Sequence, residues 1–408
     1  MAAAMCAIAM VSCGGNGGSS VTTPNGNTIN VPSKLKNRAF ITNQYSGNIQ
    51  IVDSANDKTA YYSSNQTNTN TTNQIVDLAV RIPVGISLTF EVVSPNRSVA
   101  AVYDPNALLM GLVNTSSESD TANVNLPAWA AMAAFSPDSN TLYVPTGNAV
   151  VSGGPPGAIQ VITVASDVIS STINVPSVRW VALNPAGTMM LAFADNSDNV
   201  WVINLAASTI TPVAITGFSR PVNAFFSSDG NTAYVLNCGN QCGGSQPPSV
   251  AQLNMTSQTI NGVVPVGGAS VGLLNGTTLY VAGYGGGANG TFDAVDVSSM
   301  TRTTTNSVLI NDGQQWIMAL NNNMLYIGAK TCSNSIVGCL SIVNVSTNTA
   351  VTPGPPLGPV TGLQSIPNRN VMYVIQGGIL NIYDTTTNAQ LPTIGFRGAL
   401  YAVAQVDQ

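Results

Sequence analysis

Histidine is missing from this chain altogether, and charge is scarce: only 7% of the 408 residues are Asp, Glu, Lys or Arg. Without an imidazole there is no Ser-His-Asp or Cys-His catalytic arrangement, no haem-attachment motif and no His-ligated copper or zinc. Glutamate occurs only at Glu91 and Glu118, which leaves little material for acid–base chemistry by paired glutamates. No cofactor is expected. The 12 basic residues are scattered singly among 17 acidic ones, for a net charge of −5. A phosphate backbone is bound by clustered positive charge, so nucleic acid is not expected as a partner. No apolar run reaches the roughly 20 residues that cross a bilayer.

What is present favours strands and turns. Hydrophobic residues make up 44% of the chain, with 38 Gly and 23 Pro, and almost no helix is expected. A short strand with an aromatic or apolar residue in a fixed slot recurs at Phe40, Ala100, Tyr143, Met190, Tyr234, Tyr280, Tyr326 and Tyr373. From Ala100 onward the spacing is 43 to 47 residues, the length of one four-stranded propeller blade. The predicted fold is therefore all-β: a single β-propeller of eight four-stranded blades. The slot follows turns such as FSPDSN, LNPAG and FSSDGN, where Pro sets φ and Asp or Asn accepts backbone bonds. A second column places Asp53, Asn204, Asn254, Asp296, Asn344 and Asp384 at the end of the third strand in six of the blades, before a Ser/Thr/Asn-rich turn. A residue repeated from blade to blade reads as structural, bonding turn amides two residues on.

The ends predict how the ring shuts. The chain enters its first blade on a second-type strand at 38–42 and finishes on an apolar first-type strand at 400–404. The C-terminal strand thus supplies the inner strand of blade 1, leaving no open edge. The interval from Phe40 to Ala100 is 60 residues and contains the run SSNQTNTNTTNQ. The pattern of blade 2, over 88–126, is the weakest.

Ahead of the ring, residues 1–12 read as a signal peptide, truncated at its start, and 13–36 as a flexible tether, with the propeller over 37–408. The run ending Met10, Val11, Ser12, Cys13 resembles a bacterial lipobox, in which the cysteine is lipidated; an ordinary secretory signal is the alternative. The stretch after Cys13 is Gly, Ser, Asn and Thr, a composition expected to stay disordered. Of the other cysteines, Cys238 with Cys242 and Cys332 with Cys339 form two local pairs between second and third strands. Such pairs imply disulfides and an oxidising, exported setting; zinc is the rival, weakened by the missing histidine.

Blades 3 to 5 carry the clearest repeats, with TLYV, MML and AYVLN as second strands and AIQVI, VWVIN and VAQLN as third. These residues resemble the YVTN family of bacterial β-propeller repeats, related to YncE-like and lactonase-like propellers, from about residue 37 to the end. Seven blades are commoner in that family and stand as the alternative count. The lipobox-like run and the cysteine pairs together imply an exported, lipid-anchored domain of the cell envelope, periplasmic or surface-exposed. Lactonase-like relatives use either an acid, His and Arg set or a calcium site of Glu, Asn and Asp in the central channel; neither transfers to this sequence residue by residue.

The loops indicate a working face. Connections between second and third strands are long in blades 3, 5, 6 and 7 and short in blades 4 and 8, and they emerge on the same face as the links between blades. Trp129, Arg179, Trp180, Arg220, Trp316 and Arg397 all fall on that face, and aromatic and Arg side chains on loops of a rigid scaffold are the usual makings of a recognition site. Trp180 and Trp316 have a plainer reading as caps on the core between blades. The favoured function is a monomeric, non-enzymatic binding or scaffold module for an envelope protein, peptide or glycan. The alternative is a lactonase-like hydrolase with an Asp- or calcium-based site in the channel. Two or more convergent Asp side chains in the channel would favour the hydrolase.

Overall fold

Turn chemistry repeats with the strands. In blade 5, Asp229 Oδ1 accepts from the Asn231 amide at 3.0 Å and from Ser227 Oγ at 2.6 Å, while Ser227 Oγ accepts from the Thr232 amide at 3.0 Å. Gly230 adopts φ +72° to complete the reversal. Blade 3 repeats the arrangement through Ser136 and Asp138, and blade 4 reaches the same end through Asn184, whose Oδ1 accepts from the Thr188 and Met189 amides. The Asp/Asn column works as expected: Asp53, Asn204, Asn254, Asp296, Asn344 and Asp384 each accept from the amide two residues on, at 2.7 to 3.0 Å. Four residues beyond this column, Asp57, Gln258, Met300, Asn348 and Asn388 all have positive φ, the left-handed step that ends a type I turn in a hairpin.

These meanders assemble into a ring. The computed structural model describes residues 18–22, 28–67, 73–284, 289–333, 339–351, 358–392 and 399–407. It contains eight antiparallel blades; blade 5, for example, runs Pro221–Phe226, Thr232–Asn237, Ser249–Asn254 and Thr259–Pro265. Among the described residues the only helix is a single 3₁₀ turn at Gly239–Cys242. Second and third strands are buried on both faces because each blade packs on its neighbours. Between blades 4 and 5, for instance, Leu191, Phe193 and Val202 meet Ala224, Val235 and Leu253. Tyr143, Tyr234, Tyr280, Tyr326 and Tyr373 are all buried in such seams.

Closure follows the expected clasp. Leu400–Gln405 lies antiparallel to Arg38–Asn43, with Phe40 opposite Ala404 and Ile41 opposite Val403. A bulge falls after Ile41, and Thr42 fills it: its Oγ1 accepts from the Ala402 amide at 2.9 Å and donates to Thr89 O at 2.7 Å. Polar side chains lock the seams beside the clasp. The Arg38 guanidinium donates to Asp407 through Nε and Nη2, at 2.8 and 2.7 Å, and to Glu118 Oε1 and Thr115 O through Nη1, at 3.0 and 2.7 Å. Arg38 and Glu118 are 8% and 2% exposed. On the other side Arg369 of blade 8 forks onto Asp57 of blade 1 at 2.7 Å, and Tyr373 Oη donates to the same carboxylate at 2.6 Å.

Two features depart from the sequence reading. The long first interval is an insertion. The outer strand of blade 1 begins at Lys58–Thr59 and resumes at Arg81–Pro83 on the same partner strand, and between them Tyr61–Thr67 and Asn73–Ala79 pair as a separate two-stranded ribbon. With that ribbon set aside, the interval matches its neighbours and eight blades remain. The tether expected at 13–36 is built onto the propeller over its described part. Ser20–Thr22 pairs with Thr28–Asn30 and contacts Arg81, Val21 is buried in the blade 1 core, and Ser33 donates its amide to Glu118 Oε2 at 2.7 Å. The signal-peptide residues 1–12 and Cys13 lie outside the described residues.

Two outcomes follow. Arg38→Met, which strands the buried Glu118 carboxylate, is expected to lower denaturant-measured stability by about 3–5 kcal/mol. Arg179→Met, from an ion pair whose side chains are each about half exposed, should change it by no more than about 0.5 kcal/mol. The second concerns Asp120, whose carboxyl is pushed up from 3.8 to about 7, chiefly by burial, against hydrogen bonds from Asn123 and Ala122. The folded chain then keeps a proton that the unfolded chain has released, so stability declines as pH rises from about 4 to about 7. Thermal unfolding of Asp120→Asn across that range should show a flatter pH dependence than the wild type.

Candidate functional site

Inner strands begin on the face where blades are linked, and four of them open a cavity of about 280 Å³. Its walls come from the start of the inner strands of blades 4 to 7 and from the second-to-third loops of blades 4, 5 and 7. Arg179, Trp180, Arg220 and Trp316 line it together. Four of the six side chains expected on this face thus converge. Trp129 stands apart at 49% exposure and does not line the cavity, and Arg397 lies outside the described residues.

Each wall residue is held by its neighbours. Trp316 donates its indole N–H to Val360 O of blade 8 at 2.8 Å, so its orientation is set from the edge. Its face is turned to Lys330, whose Nζ sits 4.0 Å from the ring centroid, a cation–π distance. Burial pulls the Lys330 pKa below its ordinary value, and the Arg179 charge adds to this. Among the described residues Lys330 Nζ has no hydrogen bond or ion pair. Trp180 combines both earlier readings, packing half-buried against the core between blades 4 and 5 while lining the cavity.

Arg220 is placed by the first disulfide loop. Its backbone has φ +49°, a conformation disfavoured for a long side chain. Its amide donates to Asp198 at 2.9 Å and its carbonyl accepts from the Cys238 amide at 3.0 Å. The side chain donates from Nη2 to Gly243 O at 3.3 Å, while Nε lies buried 3.9 Å from Asp198 with no hydrogen bond. A Cβ at Gly244 would come within 2.9 Å of Arg220 Cγ and 2.6 Å of Ser219 Oγ, so only glycine lets the loop lie against the arginine. The Cys238–Cys242 bond spans this loop with a Cα separation of 5.6 Å, and Cys242 itself lines the cavity. Cys332–Cys339, at 5.4 Å, closes the loop that follows Lys330.

The other end of the channel is different. A cavity of about 410 Å³ is lined by Glu91, Arg97, Leu363, Gln364, Val403 and Gln405, among others. Burial drives the Glu91 pKa well above the ordinary glutamate value, with the Ala404 backbone opposing. Neither Glu91 oxygen has a geometric hydrogen bond among the described residues. Glu91 is the one acidic residue on any of the eight inner strands, and no group of three or more Asp, Glu, Cys or His able to hold a metal occurs among the described residues.

Lys330 was not singled out by sequence, since it stands alone in GAKTCSNS; its place directly before a disulfide loop was the available signal. Asp195, Asn196 and Ser197 also line the cavity, on a loop whose shortness had drawn attention elsewhere.

No family model matches this chain, and no curated protein is similar to it in sequence. Solved structures are similar in fold. The dihydro-haem d1 dehydrogenase NirN superposes with a TM-score of 0.66 at 12% identity, covering 92% of this chain and 78% of that one. A protein of unknown function from Desulfotomaculum acetoxidans gives 0.54 at 18% identity, covering 77% and 94%. The β-propeller domain of Cps50 (Swd1) from Myceliophteria thermophila gives 0.55 at 8%, covering 73% and 96%. At such identities the likeness establishes the propeller and nothing about ligand or reaction. No helix among the described residues is long and apolar enough to cross a membrane.

The disulfide loop yields a local expectation. A loop this short gains roughly 2 kcal/mol from its cross-link, so Cys238→Ser with Cys242→Ser should leave blade cores intact. Hydrogen exchange of amides 239–246 is expected to accelerate markedly, with second-strand amides of blades 4 and 5 unchanged; uniform acceleration would mean that the bond supports the whole ring.

Proposed function

We propose that this protein is an exported propeller of the YVTN-repeat type, tethered to a membrane through a lipid on Cys13, that binds a protein, peptide or glycan of the cell envelope without chemical conversion. One observation carries the reading: Arg179, Trp180, Arg220 and Trp316, contributed by three blades and far apart in sequence, line one cavity. Convergence of Arg and Trp in a recess on a rigid scaffold is how recognition energy is concentrated. The two disulfides support an oxidising compartment. A hydrolase built on channel aspartates draws no support from the inner strands, where the sole acid is Glu91.

The test is capture. Immobilised wild-type protein should retain a specific partner from envelope extract, and Trp180→Ala combined with Arg220→Ala should reduce capture at least about tenfold, the loss expected for two central contacts. Equal retention by both proteins would place the binding surface elsewhere.

A further inference from the structure

Basic residues are distributed very unevenly. Between Arg97 and Arg369 the chain has only four, Arg179, Arg220, Arg302 and Lys330, and three of them line the cavity on the loop face. Arg302 sits 3.7 Å from Asp293 in blade 6. In a chain of net charge −5, gathering three cations in one recess raises their mutual repulsion, which an opposite charge would relieve.

Internal acids offset that charge only in part. Arg179 pairs with Asp195 at 3.0 Å where both side chains are half exposed and largely screened. Arg220 Nε lies 3.9 Å from Asp198, whose side chain is more than half exposed, and makes no hydrogen bond, and among the described residues Lys330 Nζ meets the Trp316 ring and no acid. Three cations against two partly exposed acids leave the recess with positive charge in excess, which an anion held between Arg220 and Lys330 would neutralise.

The remaining lining narrows the ligand. Around the two indoles stand neutral hydrogen-bonding groups, among them Asn196, Ser197, Asn223 and Gln314, suited to the hydroxyls of a sugar ring. A volume of about 280 Å³ lies just below the usual ligand-site range, which starts at roughly 300 Å³; it suits a terminal unit rather than a chain segment. Resting on the reading of this recess as a binding site, we infer that its ligand is an acidic saccharide, with the carboxylate of a terminal uronic acid held by Arg220 and Lys330 and the ring among the tryptophans and amides.

The experiment is calorimetric titration of the purified protein with glucuronate- and galacturonate-terminated oligosaccharides, their methyl esters and the matching neutral sugars. At least one free acid should bind, its ester and neutral counterpart should bind at least about tenfold more weakly, and affinity should fall with added salt. Lys330→Gln, with an unchanged melting temperature as its folding control, should lose the preference for acid over ester. Equal binding of acid and ester, a preference retained in Lys330→Gln, or no binding of any acidic sugar would overturn the inference. If the wild type still captures an envelope partner that the Trp180→Ala/Arg220→Ala protein does not, the binding reading survives that outcome; without such capture both fail.

Discussion

A β-sheet edge carries unpaired N–H and C=O groups, and a propeller is stable only if its first and last strands do not leave one open. Here that requirement is met by six residues at one end of the chain lying beside six at the other. Blade 1 exists as a four-stranded unit only because Leu400–Gln405 completes it. Every other blade packs against two neighbours, so the recess between blades 4 and 7 depends on a junction formed by blades 8, 1 and 2 on the far side of the ring.

Scarce charge is concentrated where a general hydrophobic surface would not give specificity. At the clasp, Arg38 ties Asp407 within blade 1, and Arg38, Arg97 and Arg369 reach across seams to Glu118, Gln405 O and Asp57. Such contacts fix register between sheets whose apolar faces could otherwise slide. On the opposite face the arginines and the lysine do not cross a seam to a buried carboxylate, and they face a cavity instead. The same residue types therefore serve closure on one face and line a cavity on the other, separated by which loops carry them.

Much of this was legible in the sequence because it is local or periodic. The Ser/Asp and Asn turns and the Asp/Asn column each specify a hydrogen-bonded reversal within a few residues, and periodicity repeats that signal from blade to blade. The clasp could be read because each strand type has its own pattern. The ribbon within the outer strand of blade 1 was not legible: its Asn/Thr-rich sequence resembles a linker, and only pairing of Lys58–Thr59 and Arg81–Pro83 to the same strand reveals an insertion. The N-terminal pairing was missed for a related reason. Composition over 14–32 is polar, yet Val21 and Val31 pack on the blade 1 core, and the flanks of PNGN already had the β-branched character of a hairpin. Of the candidate site, four of the Arg and Trp positions read from the sequence line one cavity, whereas the pairing of Lys330 with Trp316 depends on loop geometry that no local pattern encodes.

Hydrogen exchange on a chain ended after Ala399 tests most directly whether closure supports the recess. The account predicts lost protection not only in Arg38–Asn43 but also in the inner strands Val178–Leu183, Pro221–Phe226 and Gln315–Asn321 that wall the cavity. Full protection of those three strands in the shortened chain would contradict it, showing that the recess stands without the clasp.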